Sequence, residues 1–217
     1  MPYSNFKALK TLGIETWQLR TPYSPASICQ PKNDWEHLRS AIQSCTACGL
    51  SRTRTQTVFG VGSEQASLMI VGEAPGFYED QQGEPFVGRA GKLLDAMLNA
   101  IGLSREAVFI ANILKCRPPN NRDPLPEEVN LCTPFLEQQI RFINPKLLVA
   151  VGRIAAHFLL NVKSPLGSLR QKMHQYAPTN TPLLVTYHPA YLLRNPADKR
   201  RAWTDLQLIQ RTLLSIQ

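Results

Sequence analysis

The stretch LMIVGEAPGFYEDQQGEPFVGRAG, residues 68–91, constrains the fold more than any other. Leu68–Val71 is an apolar run without alternation that stops at Gly72, as a strand buried on both faces of a parallel sheet would. The segment after Gly72 reads as a loop rather than a helix, because Gly72, Pro75, Gly76, Gly83, Pro85, Gly88 and Gly91 punctuate it. Between them sit Glu73, Glu79, Asp80, Glu84, Phe86 and Arg89. Open α/β sheets bind ligands outside the carboxyl ends of their strands, so this loop is the first place to expect chemistry. Two nucleotide readings fail on spacing. GEAPG is not G-x-G-x-x-G, and Gly91-Lys92 is followed by Leu93, with Phe86 where a phosphate loop begins with Gly.

The rest of the chain alternates strand and helix patterns. Val108–Ala111, Leu147–Val151 and Leu183–Tyr187 read as further strands. Helical spacing covers Asp34–Ser44 with Asp34 as cap, Lys92–Ile101 ending at Gly102, Pro126–Ile143 ending before Asn144-Pro145, Arg153–Leu160, and Asp198–Ile216. This predicts an α/β fold around a parallel sheet covered on both faces. Residues 1–33 carry Pro2, Pro22, Pro25 and Pro31 without periodicity and read as an arm, with one domain over 34–217. The net charge of +8 favours an anionic partner such as nucleic acid. No apolar run long enough to span a membrane and no secretory leader is visible, so a cytoplasmic protein is expected.

Strand-end residues separated in sequence should converge. Gly72-Glu73, Asn112 and His188 each close a strand, and with Phe86 they supply a carboxylate, an amide, an imidazole and an aromatic face. Cys45-x-x-Cys48, Cys116 and Cys132 offer two local and two distant thiols for one metal centre. The spacing suits zinc and an iron–sulfur cluster alike, and Cys29 is left over as a free thiol.

GEAPGFYED, PFVGRAG, NILKCRPPNNR and HPAYLLR, together with this cysteine spacing, closely resemble the family 4 uracil-DNA glycosylases, over roughly residues 45–210. The resemblance implies a three-layer α/β/α sandwich with a central four-stranded parallel sheet. It implies hydrolysis of the N-glycosidic bond of uracil in DNA, the step that opens base excision repair, and a [4Fe–4S] cluster on Cys45, Cys48, Cys116 and Cys132. It places Gly72, Ala74, Phe86, Asn112 and His188 around the base, with His188 near uracil O2. A covalently reacting relative has a nucleophilic His after its second motif; CRPPNNRDP has none, so no attachment to DNA is expected. The best-known uracil glycosylases orient water with an Asp where this chain has Ala74; either Glu73 or the Glu79-Asp80 pair takes that task or water needs little activation, and weak activation helped by Glu73 is the expectation. That missing Asp also favours a rival, a module that recognises damaged DNA without cutting it. Expected partners are single- or double-stranded uracil-containing DNA, bound by a monomer. Lys115, Arg117, Arg122 and Arg194 are expected on phosphates, and Leu192 and Leu193 either as a wedge in the base stack or as core.

Overall fold

The computed structural model describes residues 35–216. The arm over residues 1–33, the Asp34 cap and Cys29 lie outside the described residues. Six strands among them form one sheet: β1 (Val61–Gly62), β2 (Leu68–Gly72), β3 (Phe109–Asn112), β4 (Leu147–Val151), β5 (His174–Tyr176) and β6 (Thr181–Thr186), in the order β1-β3-β2-β4-β6-β5. The four central strands β3, β2, β4 and β6 are parallel neighbours. They are the four strands expected from sequence, and β1 and β5 extend the sheet antiparallel at its edges. That extension adds two short strands to the expected central four. Two or three residues hold too little pattern to announce a strand, and only the partner's backbone makes them one.

The helices are α1 (Trp35–Gln43), α2 (Phe77–Gln82), α3 (Arg89–Asn99), α4 (Pro126–Ile143), α5 (Arg153–Leu160), α6 (Leu166–Leu169), α7 (Pro189–Arg194) and α8 (Lys199–Ser215). Successive strand residues point to opposite faces. Met69, Val71, Phe109 and Leu148 therefore pack with Leu38 of α1, Leu136 of α4 and Ala155 of α5. Ile70, Ile110 and Val149 pack on the other side with Leu94 of α3 and Leu206 of α8. The result is the expected α/β/α sandwich.

Local signals set the helix ends. Pro126 starts α4, where Glu128 accepts the Leu125 N–H at 2.9 Å, and Asn144 ends it at φ +47°. The segment after Gly72 corrects the loop reading, since Phe77–Gln82 closes into a helix of six residues ending at left-handed Gly83. Glycine and proline density hid it, because the run between Gly76 and Gly83 is too short for periodicity to register.

The chain order makes this a doubly wound sheet. From β2 the chain reaches β3 on one side through α3, then crosses by α4 to β4 on β2's other side. The direction reverses around β2, and ligand crevices open at such reversals beyond the carboxyl ends of the strands.

Candidate active site

A cavity of about 510 Å³ sits at that end of the sheet, lined among others by Glu73, Ala74, Phe86, Asn112, Arg153 and His188. It falls within the size range of small-molecule and base pockets. The strand ends that sequence separates do meet here. Gly72 and Asn112 are register partners at the ends of β2 and β3. Asn112 is 2% exposed, and its backbone carbonyl accepts from Lys115 Nζ at 2.8 Å.

Gly72 has no room for a side chain. A Cβ there would stand 2.3 Å from Asn112 Oδ1 and 2.7 Å from the Phe86 ring, so the glycine lets amide and aromatic approach each other. Phe86 itself takes φ +54°, a conformation unfavourable for a bulky residue. The surroundings enforce it. Arg105 donates to the carbonyls of Pro85 and Phe86 and pairs with Asp95 at 3.1 Å. A Cβ on Gly91 would fall 1.6 Å from the Phe86 carbonyl oxygen, so α3 packs against the bend only with glycine at that position.

His188 caps α7, with Nδ1 accepting the Ala190 N–H at 3.2 Å. Burial, with a smaller contribution from Arg194, lowers its pKa from 6.5 to about 4, so the ring is neutral at neutral pH. A neutral imidazole accepting at Nδ1 carries its proton on Nε2, which is then a donor. Its ring lies 5.6 Å from that of Phe86 at 32°. Glu73 moves the opposite way. Burial first and Asp123 second push its carboxyl up to about 7, against the opposing pull of Arg153. Ala74 lines the same cavity and packs on the core, and the nearby carboxylates that line the cavity with it include those of Glu73 and Glu79. Asp80 is turned away, accepting the Thr55 N–H at 2.9 Å.

Among the cationic candidates one is corrected, and of the two readings open for Leu192 the core is the one its burial supports. Lys115 is 1% exposed, and its ammonium is held by the Asn112 carbonyl and by Gln139 Oε1 at 2.7 Å. It supports Asn112 from beneath and does not reach a phosphate. Leu192 is 1% exposed and belongs to the core with Leu206, which removes it as a wedge; Leu193 stays half-buried. Arg194 is exposed and lines the cavity, as does Arg122, which forms a forked pair with Glu128 at 2.5 and 2.9 Å. Arg117 lies outside the cavity, over the Phe77 ring. Sequence reasoning passed over Asp123, Arg153 and Arg105. Arg153 was within reach, since it follows the end of β4 as Glu73 follows β2; nothing local marks Arg105.

The four thiols also assemble. Cys45, Cys48, Cys116 and Cys132 line one apolar cavity with Ile42, Leu131 and Phe135. Arg54 Nη1 lies 3.1 Å from Cys116 Sγ, and the Lys115 N–H lies 3.3 Å from Cys132 Sγ. Cationic and amide donors at the sulfurs suit thiolate ligands. Among the described residues no three Cys, His, Asp or Glu side chains are spaced for a single metal ion. Four thiols on one shared void are a donor set that zinc and an iron–sulfur cluster both accept.

The sequence model of the family described as Uracil DNA glycosylase superfamily matches residues 59–207. The chain is 45% identical over 174 residues to the type-4 uracil-DNA glycosylase of Archaeoglobus fulgidus, covering 77% of this chain and 87% of that protein. It is 42% identical over 181 residues to the same-named protein of Pyrobaculum aerophilum, covering 81% and 92%. With the one from Thermotoga maritima the identity is 42% over 175 residues, covering 76% and 86%.

Proposed function

This chain belongs to the uracil-DNA glycosylase superfamily and to its type-4 branch, and we propose that it flips uracil out of DNA and hydrolyses the N-glycosidic bond. The observation that carries the mechanism is the meeting of the Asn112 amide, the Phe86 ring and the neutral His188 ring on one cavity. A base inside a duplex is unreachable, so it enters the cavity extruded and stacks on Phe86. The amide NH₂ of Asn112 donates to uracil O4 and its Oδ1 accepts from N3–H. Cytosine presents the inverse pattern, which leaves buried polar groups unpaired.

Bond cleavage puts positive charge on the sugar and negative charge on the departing base. The Nε2–H of His188 donates to O2, a bond that strengthens as the anion forms. Because His188 is already neutral, it stabilises the leaving group without giving up a proton. Water oriented by Glu73 then adds to the strongly electrophilic sugar, and the proton it sheds goes to the departing uracil anion directly or through solvent. Incubating the protein with a uracil-containing oligonucleotide and cleaving abasic sites with alkali tests the activity. Strand breaks should appear; their absence would favour recognition without cutting.

The two shifted groups separate on a pH scale. We expect kcat to fall by only a few-fold as Glu73 takes a proton near pH 7, and steeply only near pH 4, where a proton on His188 Nδ1 abolishes the bond from the Ala190 N–H that aims the ring. In Glu73→Gln the first step should vanish with most of the rate retained. A fall of about tenfold per pH unit below 7, abolished in that variant, would make Glu73 an obligatory base instead. Stability follows His188 in the same direction. Its contribution is complete above pH 6.5 and is lost as pH falls toward about 4, because the unfolded chain takes up the proton first.

Gly72→Ala drives its new methyl into Asn112 and Phe86, so uracil release should drop by about 10² and the melting temperature by a few degrees, since overpacking a buried strand end costs about 1–3 kcal/mol. Near wild-type turnover would show that the amide and ring tolerate displacement.

Cys45, Cys48, Cys116 and Cys132 hold a [4Fe–4S] cluster in this reading. When bound, it clips the segment after α1 to the loop after Asn112 and to α4, a structural task. Purified protein should be brown, with about four irons per chain, and Cys116→Ser should lose the colour. Colourless protein containing zinc would decide for the other metal. A monomer acting on single- or double-stranded DNA completes the proposal.

A further inference from the structure

Phe77 and Tyr78 open α2 directly after Gly76, which lines the cavity. Both rings face water, 50% and 60% exposed. They brace each other edge to face, with centroids 5.4 Å apart at 81°. The Arg117 guanidinium lies 5.0 Å from the Phe77 centroid, within cation–π reach, and its Nε donates to Asn121 Oδ1 at 2.7 Å. Asn121 is itself a cavity residue. Two segments that build the cavity wall therefore continue outward into one aromatic and cationic patch.

We propose that Phe77, Tyr78 and Arg117 form a stacking platform for an unpaired base next to the extruded nucleotide on the same DNA strand. This rests on DNA being the substrate. Extruding one nucleotide leaves its neighbours with uncovered faces, and aromatic rings accept any base because every base has a π face. Arg117 supplies the positive charge that a strand needs beside its bases. A base stacked within a duplex has both faces covered already, so the platform serves the single strand. The proposal concerns binding outside the cavity, and the chemistry inside it is unaffected by which base is taken.

The test uses the full chain and two single-stranded oligonucleotides with one uracil each, identical except that the second has abasic spacers on both sides of it. Phe77→Ser/Tyr78→Ser should raise KM roughly tenfold or more on the first and less than about twofold on the second. The aromatic exchange Phe77→Trp/Tyr78→Phe should keep KM within about threefold of wild type on the first. Equal losses on both strands, or no loss on either, would overturn the platform. A uracil-free strand carrying 2-aminopurine reports stacking without cleavage: wild type should change its fluorescence on binding and the double serine variant should not. Wild type that stacks this probe yet releases no uracil would sink the activity and leave the platform standing. The absence of any fluorescence difference between the two proteins would refute it.

Discussion

Replacing His188 by alanine is expected to slow kcat by about 10²–10³, with KM little changed. The reasoning lies in when the hydrogen bond matters. In the proposed complex Nε2–H would face an ordinary carbonyl oxygen of the bound base and an anionic oxygen as the bond breaks, so most of its effect should appear in the transition state. Burial makes the effect dependable. It depresses the pKa to about 4, so the ring stays neutral across the physiological range and its tautomer is fixed by the Ala190 N–H. His188→Gln presents an amide donor from a similar reach and should recover part of the loss. Single-turnover kinetics at saturating enzyme would measure both variants. A loss below about fivefold in His188→Ala would mean that O2 is stabilised elsewhere.

Asn112→Asp should be as damaging for a different reason. Asn112 is buried where Gly72 allows close approach, so the new carboxylate cannot retreat into water. It would offer acceptors only, lose the donor to O4, and place a negative charge against a base leaving as an anion. We expect kcat/KM on uracil to fall by about 10³ or more, and discrimination against cytosine to fall with it. The ratio of uracil to cytosine release is the measurement that matters. A variant that loses rate but keeps its preference would show that another group reads the base. Folding should survive, because Lys115 and Gln139 hold the backbone beside this position independently of the side chain.

Some of this architecture was legible in the residues alone. The strands at Leu68 and Leu147 read directly, since a strand buried on both faces is a continuous apolar run. With four such runs in place, the strand-end rule located Glu73, Asn112 and His188 around one opening. Other features resisted. The side chain of Lys115 is basic and that of Leu192 apolar, yet the first is buried against Gln139 of α4 and the second in the core. Residue type says what a group would do in water; it does not say which way the group points. Helix α2 and the edge strands escaped because each is too short for its pattern to outweigh its neighbours.

The residues alone carry an inventory with an order: which residue types close the strands, four cysteines spaced two near and two far, and an aromatic within a bend rich in glycine. The condition of those groups is set by the folded chain. Glu73 rises to about 7 and His188 falls to about 4 because chain segments remote in sequence remove water from both. Phe86 holds an unfavourable backbone angle because Arg105 and Gly91 surround it. Desolvation and close packing depend on what lies nearby in space, and no local stretch of chain contains that information.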